Sequence, residues 1–575
     1  MGQSRMNEKK DVSIVLCGEA GQGIQTVERI LLHALKGSHF HVFATKEYMS
    51  RVRGGANSTE IRVSAKRVSA YVEKIDILVP FHGGAIDHVR KRITGRTVVL
   101  ADTRSVPEDA CAPACHFIDI PFLKMAEEIG GRIYVNAVAA GVVLGMFPVD
   151  TKTITDFIRW YFAGKGKEVI TRNLEAVRKG LEIGNDVLRS GHLPMDISPD
   201  VQVAEEILIN GAEAVGIGAL AGGCSFLSSY PMSPSTGVMV FLSQQMKDFD
   251  LVVEQAEDEI SAINMALGAS YAGARSLVTT SGGGFALMTE GISLAGMIET
   301  PVVVHLAQRP GPATGLPTRT EQADLELVLY AGHGEFPRII YTPGSLEQAI
   351  HLTSKAFQMA ARFQVSVFVL TDQYFMDCYY NTPPPDLSIL KGGRHIVKTR
   401  KDYKRYTLHP DGISPRGIPG YGEGLVGVDS DEHDEEAHIT EDLELRTKMV
   451  DKRLGKMALI KKEVLAPEIS GSRDYKILLV GWGSTYPIIQ EALSVLGRED
   501  IAFCHFSQVF PLHNKVKPLL NRAEKVILIE NNATSQLGKL IKLQTGVAVE
   551  SKILKYSGLP FSVEEIVAGI RRRAK

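Results

Sequence analysis

Four carboxylates, Glu254, Glu257, Asp258 and Glu259, lead into a run of small and apolar residues, ISAINMALG. Acidic groups at a helix start answer the free N–H groups and the positive dipole end, which accounts for most of this cluster. Glu259 differs. Ala262, Ala266 and Gly268 follow it at +3, +7 and +9, so the helix it opens can lie close to a ligand or a partner. Upstream, YPMSPSTG (230–237) sets Tyr230, Ser233 and Thr236 in a turn stiffened by two prolines. A rigid loop of hydroxyls suits a carboxylate or a phosphate; a plain structural turn is the other reading. Downstream, QRPGPATGLPTRT (308–320) carries two arginines on a loop fixed by Pro and Gly. A guanidinium so held suits carboxylate or phosphate. Arg319 is the first choice for that contact and Arg309 the second, against the reading that both bind backbone carbonyls.

Near the start, an apolar run, VSIVLC, enters Gly18-x-x-Gly21-x-Gly23, and a helical pattern begins at Ile24. Glycines there allow a tight turn whose helix N-terminus favours a phosphate. The spacing is not the G-x-G-x-x-G of dinucleotide sites, so a packing turn or another phosphate-bearing ligand is expected. Some thirty residues on, Arg51 and Arg53 in SRVRGG could meet a phosphate or an acidic subunit surface, or be exposed loop arginines.

The elements that must position these groups read as α/β, strands alternating with helices. A first domain covers 1–191. HLPMDISPDVQV (192–203) reads as a linker. A second domain covers 204–380, a connecting segment with a basic helix 381–472, and a last domain 473–575. DSDEHDEE (429–436) reads as an exposed acidic loop. The 575 residues carry a net charge of −2, which gives no nucleic-acid footprint. No apolar run is long enough to span a bilayer, and the expectation is a soluble cytoplasmic protein. Of six cysteines only Cys111 and Cys115 are close in sequence, so no ferredoxin-type cluster and no metal site is expected in this chain.

Taken together, in order, these segments resemble the fused gamma–alpha subunit of 2-oxoacid:ferredoxin oxidoreductases. The Gly-rich turn and RGG resemble the family's gamma domain. YPMSPS is similar to its YPITPS loop, with Ser233 where Thr stands. TTSGGGFALMTE (279–290) is similar to its TSGPG-x-x-LM-x-E stretch, with Gly283 where Pro is common. QRPGPATGLPTR is similar to QRxGPSTGLPTR, and GWGS (481–484), ENN (530–532) and QLG (536–538) resemble its transketolase C-terminal-like domain. The resemblance implies three α/β domains: gamma-type, thiamine-diphosphate pyrimidine-binding-type and transketolase C-terminal-like.

It further implies that Glu259 acts on the aminopyrimidine of thiamine diphosphate, with Ser281 and Gly282 beside the cofactor. Ser233, Arg319, Arg309, Tyr230 and Thr236 then bind substrate, and Gly18, Gly21, Gly23, Arg51 and Arg53 are phosphate or coenzyme A candidates. The chain has no G-D-G motif for a Mg2+-bound diphosphate. The resemblance assigns that site, Mg2+ and a 4Fe-4S cluster to a separate beta subunit, in a heterotetramer or larger assembly that passes electrons to ferredoxin and the acyl group to coenzyme A. Among substrates 2-oxoglutarate is favoured, with pyruvate, branched-chain and aryl oxoacids open. The competing readings are a dinucleotide- or coenzyme A-binding regulatory protein and a transketolase-like transferase.

Overall fold

The computed structural model describes residues 10–19, 21–49, 55–111, 115–387 and 393–574, so Arg51 and Arg53 lie outside the described residues. The chain forms two compact units. The first comprises 1–210, 377–384 and 562–564. Its sheet, among the described residues, has eight strands: His116–Asp119, Val98–Ala101, Ile77–Pro80, Asp11–Glu19, Ala56–Ser64, His41–Glu47, Tyr379–Thr382 and Ile207–Asn210, from edge to edge. The first four run parallel and the last four pair antiparallel. Ile207–Asn210, inside the span read as the second domain, and Tyr379–Thr382, which straddles that span's end at 380, complete this sheet. The strand Ala56–Ser64 has no apolar run to announce it, because it buries charge. Glu60 pairs with Arg92 at 2.7 Å and Arg62 with Asp11 at 2.7 Å.

The Gly-rich turn joins Asp11–Glu19 to the helix Ile24–Gly37. Gly21 and Gly23 adopt φ +90° and +76°, backbone that only glycine enters freely. Apolar residues of that helix, Val27, Ile30, Leu31 and Leu35, pack into the core with Val138 and Val142 of the helix Val135–Gly145.

The second unit comprises 211–376, 385–561 and 565–575. Its larger sheet has the order Gln508–Phe510, Arg338–Tyr341, Ser366–Asp372, Val302–Gln308, Ser276–Thr280, Phe226–Ser229, Val252–Gln255. All neighbours are parallel except the edge strand Gln508–Phe510. The central strands are apolar on both faces, as a sheet covered by helices requires. A five-stranded sheet follows: Glu468–Gly471, Ile501–Phe506, Ile477–Trp482, Lys525–Glu530, Ser551–Leu554. One apolar core joins the two sheets, with Val278, Leu306, Leu325 and Phe368 in the same cluster as Trp482, Phe506 and Leu537. The α/β class read from the sequence is observed throughout.

The acidic stretch 429–436 is only partly solvated. Glu432 is pinned by Arg446 and by Arg453, the latter at 2.9 Å, and His433 is buried against Tyr406 with ring centroids 4.1 Å apart. The basic helix Leu443–Ile460 is the counter-charge that draws this loop inward. Among the described residues no helix is long and apolar enough to cross a membrane, and no cluster of His, Cys, Asp and Glu could hold a metal ion.

Candidate active site

Parallel strands deliver their following loops to one edge of the sheet, where ligands of open α/β folds bind. Four neighbouring strands do so here. Phe226–Ser229 leads to the Tyr230–Ser235 turn, Val252–Gln255 to Glu259, Ser276–Thr280 to Ser281–Gly284, and Val302–Gln308 to Arg309. Residues some eighty positions apart in sequence are thereby gathered at one site.

The four carboxylates before the small-residue helix separate into distinct roles. Glu254 and Glu257 are exposed. Asp258 caps the helix Glu259–Tyr271, accepting from the Ser261 N–H at 2.7 Å. Glu259 is 3 % exposed, and its Oε1 has no hydrogen-bond partner among the described residues. Burial raises its pKa, Asp258 adds to the rise and Arg309 opposes it. A carboxyl left so in a folded interior asks for a ligand.

The three glycines 282–284 run past it. A Cβ on Gly284 would stand 2.4 Å from Glu259 Oε1, and one on Gly282 would stand 2.5 Å from both carboxyl oxygens of Asp324. A Cβ on Gly283 would meet only the Ala313 carbonyl oxygen, at 3.8 Å. The outer two positions are therefore crowded by Glu259 and Asp324, and the middle one has room. Ser281 is buried with its Oγ unpartnered among the described residues.

Arg309 Nη1 donates to the Ser233 carbonyl at 2.7 Å. This contact joins the two Pro-fixed loops. Ser233 itself is exposed, as is Tyr230, while Thr236 opens the helix Thr236–Gln245. Burial lowers the Arg309 pKa, and Asp324 and Glu259 oppose that shift; the guanidinium thus stands in the field of two carboxyls. Arg319 is placed differently. Its side-chain stem lies against Gly558, and the next residue, Thr320, donates its N–H to the Gly558 carbonyl at 3.1 Å. The structure thus brings Glu259, Ser233, Arg309, Ser281 and Gly282 together and sets Arg319 toward the five-stranded sheet. Gly18, Gly21 and Gly23 belong to the first unit.

Sequence reading passed over the segment that follows the arginine loop. Gln322 is fully buried and uses all four of its amide groups. Its N–H meets the Asn531 carbonyl at 2.7 Å, its Oε1 the Asn531 N–H at 3.0 Å, its Nε2 the Trp482 carbonyl at 2.8 Å, and its carbonyl the Asn532 side chain at 3.0 Å. GWGS and ENN, legible only as motifs, are the clasp that holds this loop. Asp324 sits two residues beyond Gln322. The one signal for it was a carboxylate at the edge of the apolar run LELVLY.

Comparison with known proteins fits this geometry. Residues 217–452 match the family model described as pyruvate flavodoxin/ferredoxin oxidoreductase, thiamine diphosphate-binding, and residues 13–183 match the one described as pyruvate ferredoxin/flavodoxin oxidoreductase. The chain is 30% identical to the 2-oxoacid:ferredoxin oxidoreductase subunit alpha of a Sulfolobus species, covering 96% of each chain. It is 31% identical to the protein of that name from Saccharolobus solfataricus, covering 97% of each. The solved 2-oxoglutarate:ferredoxin oxidoreductase of Magnetococcus marinus, with 2-oxoglutarate, coenzyme A and succinyl-CoA bound, superposes with a TM-score of 0.92 at 29% identity, over 99% of this chain and 100% of that one. With these similarities running its full length and its loops gathered at the sheet edge, the chain belongs to the 2-oxoacid:ferredoxin oxidoreductases, as an alpha subunit.

Proposed function

We propose that this chain, joined to a beta subunit, carries out the coenzyme A-dependent oxidative decarboxylation of a 2-oxoacid, 2-oxoglutarate in the first place, and passes the electrons to ferredoxin. The observation that carries the reading is the buried Glu259 carboxyl, whose Oε1 has no hydrogen-bond partner among the described residues, with Arg309 on the loop beside it. The preference for 2-oxoglutarate rests on what the Magnetococcus marinus protein binds.

The residues fit thiamine diphosphate. Glu259 Oε1 lacks a partner among the described residues, and Gly284 lets the backbone of the glycine turn run close against it, so a buried carboxyl oxygen is left uncommitted for a ring nitrogen of the cofactor. When bound, that cofactor supplies the electron sink for the charge left by departing carbon dioxide. Glu259 holds a proton at its carboxyl for a ring nitrogen of the cofactor, and burial favours its protonated form. Arg309 takes the oxoacid carboxylate, for which its Nη1 exchanges the Ser233 carbonyl it holds at rest. The Ser233 hydroxyl, exposed at the same turn, adds a neutral hydrogen bond. On this reading Arg309 stands ahead of Arg319, which borders the loop from the Gly558 side.

The surface around Glu259 supports a partner. The helix it opens exposes Ile260 and Met265, and Leu287 and Val240 are exposed on elements nearby in the fold. Large apolar side chains left exposed in this region are what a partner's surface would cover. The beta subunit that covers them would bring the diphosphate-binding Mg2+ site and the 4Fe-4S cluster. The test is an assay of 2-oxoglutarate and pyruvate oxidation with coenzyme A, thiamine diphosphate, Mg2+ and a low-potential dye. Activity is expected with the beta subunit and not without it. Oxidation of either acid by the lone chain would defeat the assembly, and inactivity of the complex on every oxoacid would defeat the reaction.

A further inference from the structure

Asp324 lies across the glycine turn from Glu259. Its carboxyl covers Gly282, and its own N–H donates to Gln308 Oε1 at 3.0 Å, so it is tied to the residue that precedes Arg309. Its Oδ2 is shut off from solvent and has no hydrogen-bond partner among the described residues. An unpaired carboxylate in such a place is unfavourable unless it is neutralised. Movement is not open to it. Gln322 is clasped by Asn531, Asn532 and Trp482, Gln536 Nε2 donates to the Ala323 carbonyl at 2.7 Å, and the Glu326 N–H donates to Gln536 Oε1 at 2.9 Å.

The charged groups that bear on Asp324 are Arg309, from the loop after Val302–Gln308, and Glu321 on its own loop. Glu259 shares Arg309 from the other side. The glycine turn and the Gln536 segment face it with uncharged groups, and Lys539 is engaged by Glu326 at 3.1 Å.

We propose that Asp324 is a positioning residue of this site, which takes up a proton from solvent as the oxoacid carboxylate settles on Arg309, so that the guanidinium serves one fixed anion at a time. The inference rests on the reading of Arg309 as the oxoacid's partner. Before substrate arrives, burial pushes the Asp324 pKa up to about 7, Glu321 adds to the rise, and Arg309 opposes it. A carboxylate on Arg309 cancels the opposing charge and adds a like one, and both effects drive the proton on. With Asp324 neutral, the arriving anion meets no fixed anion behind its guanidinium.

The experiment uses the assembled complex stripped of thiamine diphosphate, so that no carbon–carbon bond breaks. 2-Oxoglutarate and, in parallel, pyruvate are titrated in by calorimetry near pH 8 in buffers of unequal ionisation heat. Wild type should take up about one proton per oxoacid bound, the linkage expected of one carboxyl pushed above the working pH. D324N should take up almost none, and E259Q should keep the uptake. In the loaded complex, kcat/KM for the oxoacid should fall about tenfold per pH unit above neutrality in wild type and lose that limb in D324N. Binding by wild type without proton uptake overturns the inference while leaving Arg309 in place, and so does uptake that survives in D324N. If D324N does not assemble, the wild-type and E259Q uptakes decide. Failure of wild type to bind either acid takes down the Arg309 reading, and this inference with it.

Discussion

Two glutamates buried in the same unit, Glu299 and Glu259, have opposite surroundings. Glu299 has Lys452 on Oε1 and Lys456 on Oε2, and its main-chain carbonyl accepts from Arg405 at 2.8 Å. The helix Leu443–Ile460 supplies both lysines, four positions apart and so on one face. Although burial opposes it, Lys456, Lys452 and Arg405 hold the Glu299 carboxyl far below the usual range, and burial pushes Lys456 down to about 8 against the pull of Glu299. Among the described residues Glu259 has only Arg309 acting on it as a cation, which burial outweighs, and its pKa moves the other way. A carboxylate surrounded by cations is a fastening. One whose Oε1 has no hydrogen-bond partner among the described residues, at the mouth of four strands, is a candidate for chemistry.

Substitution should separate the two. E259Q should cut turnover by about 10²–10⁴, the range for a lost acid–base group, with the fold and subunit assembly kept. E299A should leave the KM of the surviving folded enzyme unchanged and cost about 3–5 kcal/mol in denaturant unfolding, since it strands buried cations. An E299A chain as stable as wild type, or an E259Q complex at full turnover, would erase the distinction. A smaller effect tests the two arginines. R309A should raise the oxoacid KM about 10- to 150-fold, the loss of a charge-assisted hydrogen bond, and R319A much less. The reverse order would return the substrate contact to Arg319.

The smallest effect is in stability against pH. The Glu299 pKa is depressed, so its contribution is present above the unfolded-state value, about 4.3, and is lost as pH falls toward the folded value. The Glu259 pKa is raised, so wild type loses stability as pH rises from about 4.3 through the folded value. As pH rises from acid to neutral, E299Q should therefore fall behind wild type in Tm and E259Q should gain on it. Parallel curves would mean that the two carboxyls share one kind of environment.

Much of the site was legible because its loops are written in Pro, Gly and hydroxyl residues whose constraints are local. The carboxylate run gave Glu259 by the spacing of Ala262, Ala266 and Gly268, and buried strands such as Val302–Gln308 stood out as apolar runs. What was hidden depends on pairing at long range. Ala56–Ser64 is a strand that the sequence presents as polar, because its partners Arg92 and Asp11 lie far along the chain. Glu432 reads as solvated until Arg446 and Arg453 are folded over it. Arg309 meets the Ser233 carbonyl, the backbone-carbonyl reading that the sequence left open, through a contact that no spacing discloses. Asp324 carries no motif of its own, and only the glycine beneath it and the clasp beside it mark the position.

The edge of the first sheet has a consequence for how the chain is made. Ile207–Asn210 reaches that sheet only through Tyr379–Thr382, which lies between it and His41–Glu47. The intervening residues build most of the larger sheet of the other unit. During synthesis from the N-terminus, His41–Glu47 therefore presents an open strand edge, the kind that recruits stray chains, until residue 382 has left the ribosome. The stretch 192–203, read from the sequence as a linker, is part of the first unit, with Leu193 and Ile197 in its core; a chain ending there would keep that edge open unless a second product supplied Tyr379–Thr382.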